Sequence, residues 1–240
     1  MDDKPHRQGA NVSHRIATIV PSVVMALLPV LALAAPISYD DPLENLNRKI
    51  FAFNDVLDTY ALKPVAQTYQ YVTPEPLQTM VDNFFANLSE VRNIASAGLQ
   101  LKGDDVVVSS GRLLINSTFG ILGLIDVATA LGLDRRYSDF GLAFAHWGIP
   151  SGPYLVLPLL GPATLRSGVG LVPNALISPV SYIDDNTSRL VISGIDVINR
   201  RTQLLDAEDL IIGERYSFIR DSYLQRREFL ITGQQAEDDF

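Results

Sequence analysis

Between residues 106 and 133 the chain is almost unbroken hydrocarbon. Arg112, Asn116 and Asp126 are its strong polar interruptions, and Gly120 and Gly123 punctuate it. A helix that is apolar on most of its faces must be buried on every side or must face lipid. Everything else in the sequence has to be compatible with one of those two fates.

The rest of the composition leans the same way. Hydrophobic residues make up 47% of the 240 residues and charged residues only 19%, an apolar balance for a soluble chain of this size. Yet the repeated long apolar runs of a polytopic membrane protein are missing. The length suits one sizeable domain. A formal net charge of -8 argues against a broad nucleic-acid footprint. With no cysteine, the chain offers no disulfide, no thiolate metal site, no thiol nucleophile and no cysteine-linked lipid anchor.

The first 15 residues are polar and carry Lys4, Arg7 and Arg15. An apolar stretch over residues 16–35 comes next, and Ala32-Leu33-Ala34 forms a small-x-small site. This pattern predicts a secretory signal, residues 1–34, cut near Ala34. The alternative is an uncleaved anchor, since the stretch is just long enough to span a bilayer; Pro21 and Pro29 weigh against it.

Asp41-Pro42-Leu43-Glu44 is a helix start. Leu43, Leu46, Ile50, Phe53, Leu57 and Tyr60 then recur at helical spacing as one apolar stripe, which Pro64 should stop or kink. Thr73-Pro74-Glu75 opens a second helix carrying Leu77, Val81, Phe84, Leu88 and Val91. Residues 98–105 read as a break. Residues 137–162 are rich in glycine, proline and aromatics; residues 154–157 have strand character, and residues 148–153 read as a turn or hairpin tip. Pro158, Gly161 and Pro162 argue against regular structure up to about Thr164. Helices are expected over 165–172, with Pro173 limiting the next element, over 186–205, and over 215–231. The last is read as amphipathic, with Tyr216, Ile219, Tyr223 and Leu230 opposite Arg220, Arg226 and Arg227. The tail at 234–240 is acidic. Residues 35–240 are treated as one domain.

The motifs of covalent chemistry are not there. No G-x-S-x-G elbow, H-E-x-x-H or P-loop occurs, and Gly168-Val169-Gly170 lacks the third glycine of a dinucleotide fingerprint. His6 and His14 lie in the leader, so His146 alone remains, and it reads as structural or interfacial. Asp184-Asp185 and Glu208-Asp209 read as solvated loop or cap residues. No enzyme activity, cofactor or metal is expected.

Several segments, in order, resemble the MlaA (VacJ) family. Asp41-Pro42-Leu43-Glu44, Asn47-Arg48, Phe53-Asn54, Leu57-Asp58 and Lys63-Pro64 form the first. Arg112, Asn116-Ser117-Thr118, Gly120, Gly123 and Asp126 form the second. The most specific segment runs from Asp139-Phe140-Gly141 through Trp147-Gly148 and Gly152-Pro153-Tyr154 to Gly161-Pro162 and Arg166. The stretch 201–206, then Tyr223 with Gln225-Arg226 and Phe229, complete the set.

The resemblance implies a mainly α, single ring-shaped domain of amphipathic helices with a short hairpin or irregular Gly/Pro-rich segment. It implies residence in the inner leaflet of the bacterial outer membrane. The function it implies is removal of mislocalised phospholipid from the outer leaflet through an amphipathic channel, for retrograde transport. Its implied partners are phospholipid, an outer-membrane porin trimer and a periplasmic phospholipid carrier. On that reading Phe53 and Asn54 serve the lipid path or its gate, and Arg112, Asn116 and Asp126 supply polar groups to the lumen. Trp147, Gly148, Gly152, Pro153 and Tyr154 belong to a hairpin near the pore. A porin-associated scaffold without lipid transport, or an envelope hydrolase, are the alternatives. Two departures stand out. The family's lipidated cysteine is absent, and Ser167 stands after Arg166 where an acidic residue is expected, which takes an adjacent ion-pair partner away from Arg166.

Overall fold

The computed structural model describes residues 41–233. The leader, its Ala34 site and the acidic tail lie outside the described residues. Helix α1 (Glu44–Leu57) begins within the signalled segment but two residues later than a cap at Asp41 would place it: Leu43 takes the cap position, the Asp41 carboxylate accepts the Leu43 N–H at 3.0 Å, and the Glu44 carboxylate, instead of reaching back, accepts from Arg48 at 2.6 Å. Pro64 does not stop it. A single wide π turn (Asp58–Leu62) opens just before the proline, and the chain runs straight on as α2 (Lys63–Val72). The wide turn accommodates a residue that has no N–H to give and whose ring would crowd the preceding turn.

Helix α3 (Glu75–Leu99) and helix α4 (Gly103–Thr118) pack side by side as a helical pair. The apolar stretch is therefore not one long helix. Helix α4 ends at Thr118, a series of turns comes after it, and a single short turn of helix, α5 (Val127–Ala130), closes it. Two glycines permit the turns that follow: a Cβ at Gly120 would meet the Ile125 carbonyl oxygen at 2.1 Å, and at Gly123, whose φ is +93°, it would meet the Asn87 side chain at 2.6 Å. Ile121 and Leu122 are also left-handed.

Helix α6 (Phe140–His146) ends on Trp147 and Gly148, whose φ of +77° suits the close of a helix. The expected hairpin over residues 148–153 is thus a loop; Pro150 and Pro153 have no N–H for a ladder. The real antiparallel hairpin is the next segment, β1 (Tyr154–Leu157) and β2 (Gly161–Thr164), with Tyr154 opposite Thr164 and Leu157 opposite Gly161. Its tip is Pro158 to Leu160, and of the five residues expected in a hairpin only Tyr154 belongs to it.

Helix α7 (Leu165–Ile177) carries a capping box between Thr164 and Ser167, and runs through Pro173 to end four residues later. Helix α8 (Asn186–Gln203) is capped by Asp185, which accepts the Ser188 N–H at 2.6 Å. A short 3-10 turn (Asp206–Leu210) leads to helix α9 (Arg215–Thr232).

The packing order closes on itself. Helix α2 packs on α8, α8 on α3, α3 on α6, α6 on α9, α9 on β2, β2 on β1, and β1 back on α1. The described residues therefore form a ring, mainly helical, with one small two-stranded sheet. A small core of Tyr154, Val156, Tyr216 and Leu224 sits where the hairpin meets α1 and α9. Elsewhere the usual distribution is inverted. Buried polar and charged side chains outnumber buried apolar ones, while large apolar residues such as Tyr60, Val107, Leu114, Phe119 and Leu190 are exposed. No helix among the described residues is long and apolar enough to cross a membrane.

Candidate functional site: two cavities inside the ring

Asn47 and Asn54 are seven residues apart and so share one face of α1. Asn47 donates to the Tyr154 carbonyl at 3.0 Å and accepts the Val156 N–H at 2.9 Å. Asn54 donates to the Leu157 carbonyl at 2.9 Å and accepts the Leu159 N–H at 2.8 Å. The two amides thus pair the free edge of β1 as a third strand would. They fix the hairpin as one wall of a cavity.

That cavity, of about 500 Å³, is lined by α1, the hairpin, the end of α8, the 3-10 turn and α9. Its walls are largely apolar: Phe51, Val156, Leu204, Ile211, Phe218 and Ile219. Its charges neutralise one another. Arg201 holds Asp58 at 2.6 and 2.9 Å and also bonds Glu208, while Lys63 reaches Glu208 at 2.5 Å. Arg215 holds Asp55 at 2.5 Å. Burial works to raise the Glu208 carboxyl, but Lys63 and Arg201 prevail and lower it. Glu208 is therefore an ion-pair partner, not the solvated residue expected.

A second cavity, of about 330 Å³, lies between α3, the loop at 134–137, α8 and α9. Its lining is polar and rich in arginine. Arg135 pairs with Asp82 at 3.1 Å, Arg136 with Asp105 at 3.4 Å and Arg200 with Asp196 at 2.8 Å. Arg92 and Arg226 have no carboxylate partner among the described residues. Both guanidiniums instead sit over the Tyr137 ring, 5.3 and 5.8 Å from its centre, and Arg92 Nε donates to the Ser138 carbonyl. The Tyr137 hydroxyl donates to Asp139 at 2.9 Å. Arg226 lines both cavities.

Arg112, Asn116 and Asp126 come together, in a buried knot behind the second cavity. Arg112 donates from Nε to Glu90 at 2.8 Å, from Nη2 to Asp126 at 2.9 Å, and from Nη1 to Thr129 at 2.9 Å and to the Leu133 carbonyl. Asn116 donates to Asp126 at 3.0 Å and accepts the Ala128 N–H. Burial alone would raise the Asp126 carboxyl; hydrogen bonds from Thr129 and Arg112 win and hold it well below the usual carboxylate range.

The model of the MlaA lipoprotein family matches residues 39–230. The chain belongs to the MlaA family. A relative from Escherichia coli (strain K12), the intermembrane phospholipid transport system lipoprotein MlaA, is 31% identical over 201 residues, which are 80% of this chain and 79% of the relative. The protein of the same name from Shigella flexneri is 32% identical over 201 residues, 80% of this chain and 79% of that one. A protein from Rickettsia typhi (strain ATCC VR-144 / Wilmington) is 38% identical over 192 residues, covering 78% of this chain and 76% of that one. A solved structure from work on the "Structural basis for maintenance of bacterial outer membrane lipid asymmetry" superposes with a TM-score of 0.69 at 34% identity, covering 80% of this chain and all of that one.

Within this MlaA-family ring the residues singled out from the sequence divide into groups. Asn54 and Tyr154 line the larger cavity. Phe53, beside Asn54, is exposed. Arg112 is 1% exposed and lines neither cavity. Trp147 pins the end of α3, donating from Nε1 to the Leu99 carbonyl at 2.9 Å while its ring stays exposed. Gly148, Gly152 and Pro153 lie in the loop between α6 and β1. His146 stacks edge-on against Trp147 at 5.8 Å in the last turn of α6. Arg227, expected on a polar outer face, is instead buried and pairs with Asp139 at 2.5 Å. Among the described residues no cluster of acidic or histidine side chains is arranged to hold a metal ion.

Proposed function

We propose that this chain lies in the periplasmic leaflet of the outer membrane and takes phospholipid out of the outer leaflet through the interior of its ring. It then passes the lipid to a soluble periplasmic carrier for retrograde transport. The observation that supports this reading is the inverted ring: apolar side chains outside, and inside it an apolar-walled cavity of about 500 Å³ with a self-neutralised charged rim. Lipid tails can follow apolar walls, while a head group needs polar company along its path. A monomer that exposes this much large apolar surface needs a covering, and hydrocarbon or another membrane protein such as a porin trimer supplies it. The relatives from Escherichia coli and Shigella flexneri are transport-system lipoproteins, which fits the same role, and the reading requires no covalent chemistry from the chain.

The test is F218D/I219D, which places two carboxylates on the apolar wall. Phospholipid recovered with the purified protein should fall at least about tenfold, and outer-leaflet phospholipid, labelled at its head group in intact cells, should rise. A porin-associated scaffold needs the apolar exterior but not the cavity. Unchanged lipid recovery and unchanged outer-leaflet phospholipid in the variant would favour it and sink the transport reading.

A further inference from the structure

Arg226 stands at the junction of the two cavities, and the cavities differ in charge. The larger one is lined by three carboxylates and three arginines, the smaller one by three carboxylates, each already paired, and five arginines. In a chain of net charge -8, Arg92 and Arg226 face the smaller cavity with no carboxylate among the described residues to answer them. They converge on one aromatic ring, at 5.3 and 5.8 Å from its centre. The ring face answers each cation only weakly compared with a carboxylate. Tyr137 cannot swing away, because its hydroxyl is tied to Asp139, which Arg227 holds in turn. The smaller cavity is thus lined by two guanidiniums without a carboxylate, and each offers an anion seated there charge-assisted, bidentate contacts.

We propose that Arg92 and Arg226 form the seat for the phosphodiester of a glycerophospholipid, with its acyl tails in the larger cavity and its head group in the smaller one. The proposal rests on the lipid-transport reading and adds the place where the lipid phosphate pauses. Arginine suits this task better than lysine, because its planar fork matches two phosphate oxygens at once. The apolar wall carrying Phe218 and Ile219 begins two turns before Arg226 on the same helix. One lipid can therefore meet both.

The experiment titrates three probes into the purified full chain: a short-chain phosphatidylglycerol, the matching diacylglycerol, and inorganic phosphate. The parent should bind the phosphatidylglycerol at least about tenfold more tightly than either of the others, and this margin should shrink as salt is raised. R92Q/R226Q should bring phosphatidylglycerol down to the diacylglycerol level and leave diacylglycerol binding as it was. R92K/R226K, which keeps the charge but loses the fork, should fall between. R226Q alone changes an exposed side chain and should show about half the effect on a logarithmic scale. Unaltered phosphatidylglycerol binding in R92Q/R226Q overturns the seat and leaves lipid transport standing. Inorganic phosphate binding as tightly as the lipid marks a free-phosphate site and overturns the proposal. A parent that binds neither lipid overturns both this proposal and the reading beneath it.

Discussion

Two arginines are buried almost equally and live very different lives. Arg112 is 1% exposed and meets two carboxylates, a hydroxyl and a carbonyl. Arg166 is 6% exposed and makes one hydrogen bond among the described residues, from Nη1 to the Ile149 carbonyl at 2.7 Å, which leaves its Nε without a partner there. The neighbour that could have been acidic is Ser167, whose hydroxyl serves the start of α7 and meets the Tyr223 hydroxyl at 2.7 Å. The carboxylate in the vicinity, Asp139, is committed to Arg227. Burial, and then the charge on Arg227, accordingly push the Arg166 guanidinium down from its ordinary value. A buried cation holds a fold together only when its anions are buried with it.

The largest effect should come from breaking the first arginine. R112M strands Glu90 and Asp126 inside the ring wall and should cost about 3–5 kcal/mol in urea unfolding. A loss under about 1 kcal/mol would mean that Asn116 and Thr129 can carry the carboxylates alone. D126N should come next, at about 1–3 kcal/mol near neutral pH. Its signature is the pH profile. The Asp126 carboxyl is depressed in the folded state, so its contribution is complete above the unfolded value of about 4 and fades as pH falls toward the folded value. The parent should lose stability over that acid window, and D126N should lose less of it; parallel profiles would show that other carboxylates govern acid unfolding. R166M should be smallest, within about 1 kcal/mol of the parent in either direction. S167D sharpens the point by offering the missing anion: it should gain stability only while Arg166 is present, with a coupling of about 0.5–1 kcal/mol in a double-mutant cycle.

Much of the helical frame is legible in the sequence, because periodic apolar residues and caps are local signals. The starts near Asp41, Thr73 and Asp185 and the helices through Leu88, Ile195 and Tyr223 emerge from spacing alone. The prolines mislead. Pro64 and Pro173 look like limits, yet a π turn absorbs the first and the second costs one rung within α7. The hairpin signal falls one segment early, because Gly148 and Gly152 look like a tip when what they do is end a helix and bend a loop. The larger cavity is the least legible. Its walls come from α1, the hairpin and α9, which lie far apart along the chain, and no periodicity joins Phe51 to Phe218. Arg201 and Arg226 both stand within the family resemblance, but neither carries a local mark of where it sits, and by spacing alone Arg226 looks like an ordinary residue of a solvated face.

The wide turn at Asp58–Leu62 has a bearing on how such a chain can change over generations. It holds one more residue than an α-helix would need there. Removing a single residue from it would leave a smooth helix and give no local sign of damage. Because the wide turn holds that residue as an excess, the helix before it and the helix after it would keep nearly the same rotation about their axis. Asn47 and Asn54 would stay on the strand edge they complete, and Asp55 would stay with Arg215. One residue removed from the regular turns between Asn47 and Asn54 would instead swing one amide about 100° away from the other, so this short stretch is where the helix should best tolerate a change in its count.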